Sequence, residues 1–131
     1  MKSIKFFASL GVLAGYSHNN TNVDLESALK IAGKAWQNAA GKIFKDTEVY
    51  VSAVIIPSVT VYNQDWGCPE GGEVTVFISG ECNPQYTALD KYKEAVKETL
   101  RATAETLGQS TTQLTFQEVD FEHIDFRKVE A

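Results

Sequence analysis

The residues best suited to chemistry in this sequence lie in one compact turn, Trp66-Gly67-Cys68-Pro69-Glu70-Gly71-Gly72. The turn combines an aromatic plate, a thiol, a carboxylate and the pair Gly71-Gly72, whose backbone N–H groups could bind a ligand. The alternative is a long hairpin loop in which Trp66 packs on a neighbouring subunit, because aromatic side chains are enriched in interfaces. Both interpretations place Trp66 at the tip of a loop.

A second loop, Gly80-Glu81-Cys82-Asn83-Pro84-Gln85-Tyr86, leads into a predicted helix whose N-terminus offers an anion site. The simpler interpretation is an ordinary connection between a strand and a helix. Together the two loops give four predicted ligand contacts: Trp66, Gly71, Gly72 and Asn83.

The candidate nucleophiles and bases are few. Cys68 and Cys82 have no flanking base, and a lone thiol is usually a small buried hydrophobe. His18 falls in a polar loop, where an exposed imidazole is the default and a general base the alternative. His123 shares a predicted strand face with Val119 and is expected to be half-buried. No catalytic residue is assigned on this basis.

The sequence gives little support for a metal site or for a disulfide bond. A strand between Cys68 and Cys82 separates them by roughly 25 Å, whereas a disulfide needs Cα atoms within about 7 Å. The cysteines and histidines lack any known zinc spacing. Glu118, Asp120 and Glu122 could hold a cation, but charges on a strand usually protect its edge from pairing. The sequence therefore predicts no cofactor and no metal.

The 131 residues are enough for one domain, 1–131, with 44% apolar residues to build its core. The net charge of −5 argues against binding to nucleic acid or to an anionic membrane. The run Phe6–Gly15, after Lys2 and Lys5, has the outline of a secretory signal peptide with a cut near Gly15. Alternation of apolar residues from Ile4 to Leu10 favours a strand instead. The run is too short to span a membrane, and the predicted location is cytoplasmic.

Two helices are expected. Asp24 is a candidate N-cap for a helix that ends near Lys45. A capping box, Thr87-Ala88-Leu89-Asp90, begins the second helix, and Gly108 stands where a left-handed C-terminal cap is expected.

The strands follow from alternation. The second strand has apolar residues on both faces and is predicted to be buried on both, with a bulge or bend at Pro57. These residues are Val49, Val51, Ala53 and Ile55 on one face and Tyr50, Val54, Ile56 and Tyr62 on the other. The third strand covers 72–80. The last begins at Thr111 and changes phase at a predicted bulge near Gln117 or Glu118.

The element order predicts an α+β, ferredoxin-like β-α-β-β-α-β fold, with two helices on one face of a four-stranded antiparallel sheet. The other face of such a sheet is open, and here it carries apolar residues. A second copy of the chain would cover it most simply. We therefore expect a homo-oligomer, either a trimer or a dimer.

The segment Ile55-Ile56-Pro57-Ser58-Val59-Thr60-Val61-Tyr62, followed by Trp66-Gly67 and Glu73-Val74, resembles the central hairpin of the CutA family of divalent-ion-tolerance proteins. The resemblance implies a ferredoxin-like trimer. Val54 stands where that family has Asn, and the family's His-Pro-Tyr-Glu segment is absent. Only the fold and the tendency to trimerise are carried over.

These observations predict a non-catalytic binding protein that holds a small anionic or nucleotide-like ligand at subunit junctions. A sensor or sequestering role, for instance against a host defence signal on behalf of a phage or mobile element, is a conjecture. One alternative is a small enzyme using Cys68 or His18 in an inter-subunit site. Another is a structural or inhibitory protein that binds another protein through the apolar sheet face or the acidic strand. A tautomerase is excluded because Lys2 follows Met1 where that mechanism needs an N-terminal proline.

Overall fold

The computed structural model describes residues 1–13 and 23–127. Its elements are β1 (Lys2–Gly11), α1 (Leu25–Thr47), β2 (Val54–Thr60), a short 3-10 turn (Gln64–Trp66), β3 (Glu73–Glu81), α2 (Leu89–Thr106) and β4 (Leu114–Asp120). The four strands form one sheet in the order β2-β3-β1-β4, and neighbouring strands are antiparallel. The predicted ferredoxin-like β-α-β-β-α-β fold is confirmed.

The apolar N-terminal run is a central strand of this sheet. Its even-numbered residues, from Ile4 to Leu10, are buried in the core against both helices. Phe6 is fully buried and stacks on Trp36 of α1, with ring centroids 5.8 Å apart. The Trp36 indole N–H donates to the carbonyl of Val51 over 3.1 Å. These contacts fix the first helix across the sheet.

The first helix begins as predicted. The Asp24 carboxylate accepts a hydrogen bond from the backbone N–H of Ser27 over 2.7 Å, which lowers the pKa of Asp24. The helix ends at Thr47, two residues beyond the predicted end at Lys45. Such small differences are expected at helix ends, which fray.

The second helix ends at a left-handed glycine but lacks the predicted capping box. Gly108 has φ of 69°, as a C-terminal cap requires. At the other end the N-cap is Ala88, which makes no side-chain cap bond. The Asp90 carboxylate accepts instead from the N–H of Lys91 over 2.9 Å. The capping box at Thr87 is therefore a wrong prediction.

The second strand differs most from its prediction. Val49 and Val51 are buried but precede β2, which starts only at Val54. β2 is an edge strand, and Val54 is 64% exposed and Ile56 48% exposed within one chain. Burial on both faces is therefore wrong for the single chain. An edge strand tolerates Pro57, which pairs with Val76 in a continuous register, without the suggested bulge.

The last strand is also more regular than predicted. β4 begins at Leu114 and pairs with β1 without interruption, so no bulge interrupts Gln117 or Glu118. The alternation of apolar residues along β4 changes phase because Phe116 lies on the helix side of the sheet and Val119 lies on the open side. His123 follows the end of β4 and is exposed, contrary to its predicted half-buried place on a strand.

Two predictions concern a membrane span and the N-terminal processing site. Neither helix within the described ranges has the length and apolarity needed to cross a membrane. His18 and Gly15, which carried the predicted polar loop and the possible processing site, lie outside the described residues.

Candidate active site

A cleft forms at the end of the sheet where the β2–β3 hairpin turns. It lies where the end of β1, this hairpin and the connection from α2 to β4 meet, and its volume is about 250 Å³. We name it the hydroxyl cleft. Its lining residues are Ser9, Leu10, Gly11, Thr60, Glu73, Thr75, Gly108, Gln109, Ser110 and Thr111.

Glu73 is the ionisable residue among the described lining of the hydroxyl cleft. It begins β3, lies opposite Thr60 of β2 and is half-buried. Val74 and Val76 point to the helix side, so Glu73 and Thr75 point to the open side. The cleft therefore presents one carboxylate beside several hydroxyls, which suits a cationic, polar ligand.

Three hydroxyls form a connected group at this cleft, and two of them, those of Thr60 and Thr75, line it. The Thr75 Oγ1 atom lies 2.8 Å from Ser58 Oγ and 2.8 Å from Thr60 Oγ1. Thr75 itself is only 4% exposed. Pairing of small hydroxyl residues across two strands is a recognised source of sheet stability, and here the group also faces the cleft.

Gln109 closes the cleft from the α2–β4 connection. Its side-chain Nε2 donates to the carbonyls of Leu13 and Leu107 over 2.6 and 3.2 Å. Only an amide NH₂ can serve two carbonyl acceptors, so Oε1 is left as the acceptor. A Cβ placed on Gly11 would lie 2.8 Å from that Oε1, so a larger residue at position 11 would displace the Gln109 side chain.

The turn predicted to bind a ligand lies at the same end of the sheet. Trp66 is 74% exposed in the 3-10 turn, so its predicted place at a loop tip is confirmed. Gly71 and Gly72 both have positive φ, 84° and 106°. The Gly72 N–H donates to the carbonyl of Pro69 over 2.9 Å, so that amide serves the turn itself.

Asn83 lies at the opposite end of the sheet. The nine residues of β3 separate the two ends, a distance of about 26 Å at the usual rise per residue. Its Oδ1 accepts from the N–H of Gln85 over 3.0 Å, and its carbonyl accepts from Tyr86 and Thr87. Within one chain, Asn83 and the glycine pair do not contact a common ligand.

Both cysteines are buried and free. The Cys68 sulfur accepts from the N–H of Tyr62 over 3.4 Å and lies 3.3 Å from the Pro69 carbonyl, so it stabilises the hairpin turn. Burial raises the pKa of the Cys82 thiol, which disfavours the reactive thiolate. Neither thiol is placed to attack a ligand. No group of three or more metal-ligating side chains occurs in residues 1–13 and 23–127.

Comparison with known families decides the class of protein. A family model described as SAM lyase matches residues 1–125. The chain belongs to the SAM lyase family. A solved phage SAM lyase in complex with S-methyl-5'-thioadenosine has the same fold, with a TM-score of 0.58 and 14% sequence identity. The match covers 88% of this chain and 81% of that one. Among curated proteins, none matches the sequence.

Membership of the SAM lyase family corrects the functional prediction. The expected non-catalytic binding protein is wrong, because the family is one of enzymes. The prediction failed because the sequence shows no paired catalytic groups of a familiar kind. The resemblance of the hairpin to CutA proteins is a separate matter on which these comparisons do not bear.

Sequence reasoning also did not single out Glu73, which the structure places in the lining of the hydroxyl cleft. The cleft around it is built from segments far apart in the chain, Ser9 and Gly11, Thr60, and 108–111. One signal was available: Glu73 and Thr75 alternate with Val74 and Val76, which puts a carboxylate on the sheet face that lacks helices.

Proposed function

We propose that this chain is an enzyme that cleaves S-adenosylmethionine (SAM) and releases S-methyl-5'-thioadenosine, with the hydroxyl cleft as its active site. The family match over residues 1–125 is the observation that carries this proposal. The cleft supports it independently, because it places one carboxylate where a small cationic ligand can bind.

The chemistry follows from the two molecules. SAM carries a positive sulfonium bonded to a methyl group, to the adenosine C5' and to Cγ of the amino acid. Methylthioadenosine keeps the first two bonds, so the bond that breaks is the one between sulfur and Cγ. Its electron pair passes to sulfur, which becomes a neutral thioether. A lyase breaks this bond without water, and the substrate's own carboxylate is a nucleophile available to attack Cγ.

Such a reaction asks mainly for positioning. An intramolecular attack is fast when the reacting atoms are held in line at close distance. Glu73 attracts the cationic part of SAM, and the Gln109 amide oxygen and the surrounding hydroxyls offer hydrogen bonds to the nucleoside and the amino acid. This route requires no thiol, imidazole or amine, and the described lining of the cleft contains none of them.

We propose further that the active form is a homo-oligomer, a trimer or a dimer. The open face of the sheet carries Val54 and Ile56, which are 64% and 48% exposed, beside Phe7 and Phe77, whose stacked rings lie 5.9 Å apart. Exposed apolar patches of this kind mark interfaces. The cleft of about 250 Å³ is also smaller than the roughly 300 Å³ or more typical of ligand pockets, so a neighbouring subunit would help to enclose SAM.

The turn residues enter this proposal as contacts to the ligand or to the neighbouring subunit. Trp66 and the Gly71-Gly72 turn lie at the same end of the sheet as the cleft, but they are not among its lining residues within one chain. Asn83 can contribute only from another subunit, because it lies at the far end of its own sheet. The cytoplasm is the proposed location, since free buried thiols are usual in reducing compartments.

The test is to incubate the purified protein with SAM and to quantify methylthioadenosine by chromatography. S-adenosylhomocysteine is the matched substrate, because its sulfur is already a neutral thioether and a poor leaving group. We expect SAM to be cleaved and S-adenosylhomocysteine to remain intact. No release of methylthioadenosine from SAM, or equal cleavage of both compounds, would overturn the proposal.

A further inference from the structure

The hydrogen bonds among the three hydroxyls of Ser58, Thr60 and Thr75 can run in either direction. Thr75 Oγ1 lies 2.8 Å from both Ser58 Oγ and Thr60 Oγ1, and either partner can be the donor in each contact. A hydroxyl has one proton to donate. When Thr75 donates to Ser58, Thr60 donates to Thr75 and presents a lone pair to the cleft. When Thr75 donates to Thr60, the Thr60 proton is free to point into the cleft.

The burial of the three residues assigns them different roles. Thr60 is exposed and lines the cleft with Thr75, whereas Ser58 is half-buried and does not line it. Thr75 is 4% exposed, so its proton stays within the group. On its other side Thr75 pairs with Gly11, which has no side chain to cover it. The group therefore opens to the cleft through Thr60.

We propose that Thr75 is a positioning residue that orients the Thr60 hydroxyl toward a ribose hydroxyl of the substrate. This inference rests on the proposed function, because it concerns how SAM and methylthioadenosine are held. A reversible hydroxyl group matches a partner that both donates and accepts. Ribose hydroxyls do both, whereas the substrate's ammonium only donates and its carboxylate only accepts.

The position of Glu73 agrees with this assignment. Thr60 and Glu73 are opposite each other at the end of the β2–β3 ladder. In SAM the sulfonium is one carbon away from the ribose ring, so a cation near Glu73 brings the ribose within reach of Thr60. Methylthioadenosine keeps the ribose and loses the amino acid, which makes it the natural probe of this contact.

The experiment compares Thr75→Val with Thr75→Ser in the full chain. Valine has the shape of threonine without the hydroxyl, and serine keeps the hydroxyl. We expect Thr75→Val to weaken inhibition by methylthioadenosine and to raise KM for SAM by the same factor, about three- to tenfold, with kcat changed less than twofold. Thr75→Ser should recover most of that affinity.

Two further variants separate positioning from a general effect on the sheet. Thr47→Val makes the same chemical change at the end of α1, away from the cleft lining and from the open face of the sheet, and should leave both constants unchanged. Ser58→Ala removes the far end of the hydroxyl group without touching the cleft. We expect it to weaken methylthioadenosine inhibition about twofold, through Thr75 alone.

Several results would overturn the inference while leaving the proposed function intact. One is a wild-type enzyme that cleaves SAM together with a Thr75→Val variant whose methylthioadenosine affinity is unchanged. Another is a Thr75→Val variant that raises KM for SAM alone, which would assign the contact to the amino acid. A loss that Thr75→Ser fails to rescue would show a packing role. A wild-type chain that does not cleave SAM would instead refute the proposed function itself.

Discussion

Thr60 of β2 and Glu73 of β3 are direct partners across the last position of the β2–β3 ladder, beside the hairpin turn. Opposite residues of an antiparallel pair have Cβ atoms about 5 Å apart. The carboxylate and the hydroxyl therefore share one small volume on the open face of the sheet. A ligand with a cation and a neighbouring hydroxyl can contact both at once.

The first prediction concerns the charge of Glu73. Glu73→Gln keeps the size of the side chain and removes its charge, so we expect kcat/KM for SAM to fall at least tenfold, or about 1.4 kcal/mol. Glu94→Gln is the matched control, because Glu94 lies on α2, away from the cleft lining and from the open face of the sheet. Kinetic assays of both variants check it. Equal activity of wild type and Glu73→Gln would contradict the role of this carboxylate.

The second prediction concerns Trp66, which is 74% exposed in the hairpin turn. Trp66→Ala should change the free energy of unfolding by less than about 0.5 kcal/mol. It should weaken assembly or SAM affinity by on the order of 1 kcal/mol, because a stacking surface is lost. Urea unfolding, light scattering and KM together measure these effects. Tyr50→Ala, at a 70% exposed position before β2 and outside the cleft lining, is the control for assembly and SAM affinity.

The third prediction concerns the oligomer. Ile56→Asp places a charge on the open face of β2, and burying that charge between subunits would cost several kcal/mol. We expect light scattering to show an oligomer for wild type and a folded single chain for the variant. Ile31→Asp, on an exposed position of α1, should leave the mass unchanged. A wild-type monomer at micromolar concentration would remove the basis of the oligomer proposal.

The fourth prediction concerns pH and Tyr92. Burial raises the pKa of Tyr92 above its ordinary value of 10.0, and the same cause raises the pKa of Cys82 from 9.0. Well below pH 9 both groups are neutral in the folded and the unfolded chain, and neither reduces the free energy of unfolding. Above that value the unfolded chain releases these protons first, so stability falls as pH rises through the raised pKa values.

Tyr92→Phe tests this account. The Tyr92 hydroxyl is buried without a hydrogen-bond partner among the described residues. Its removal should raise the free energy of unfolding by about 1 kcal/mol at pH 7 and should reduce the loss above pH 10. Tyr50→Phe, at a 70% exposed position, is the control. Urea unfolding at pH 7 and pH 10.5 measures both, and a less stable Tyr92→Phe at pH 7 would contradict the prediction.

The sequence predicted the fold because hydrophobic periodicity is a local property. Alternation from Ile4 to Leu10 and the Asp24 cap were sufficient for β1 and the start of α1. The prediction failed where tertiary position decided the outcome. An apolar strand at Val54 and Ile56 has the same pattern whether it lies at the centre or at the edge of a sheet. The Thr87 capping box matched a motif whose side-chain bond does not form.

The site was harder to predict than the fold. Glu73, Thr75 and Gln109 meet only after the hairpin folds beside β1 and the α2–β4 connection turns back over the sheet end. Trp66 and Cys68 drew attention as rare residue types in a turn. The first is exposed at the hairpin tip, and the second is buried and bonded to the turn backbone. Residue rarity therefore pointed to the end of the sheet where the hydroxyl cleft lies, but not to the residues that line the cleft.

The most direct test of the proposed activity is the fate of SAM in water labelled with ¹⁸O, followed by mass spectrometry from the earliest time points. We predict that each SAM consumed gives one methylthioadenosine, and that the four-carbon fragment first appears without ¹⁸O on its γ-carbon. This result is expected of a lyase, in which water does not attack Cγ. Stable SAM, or a four-carbon product with an ¹⁸O-labelled γ-hydroxyl, would contradict the account.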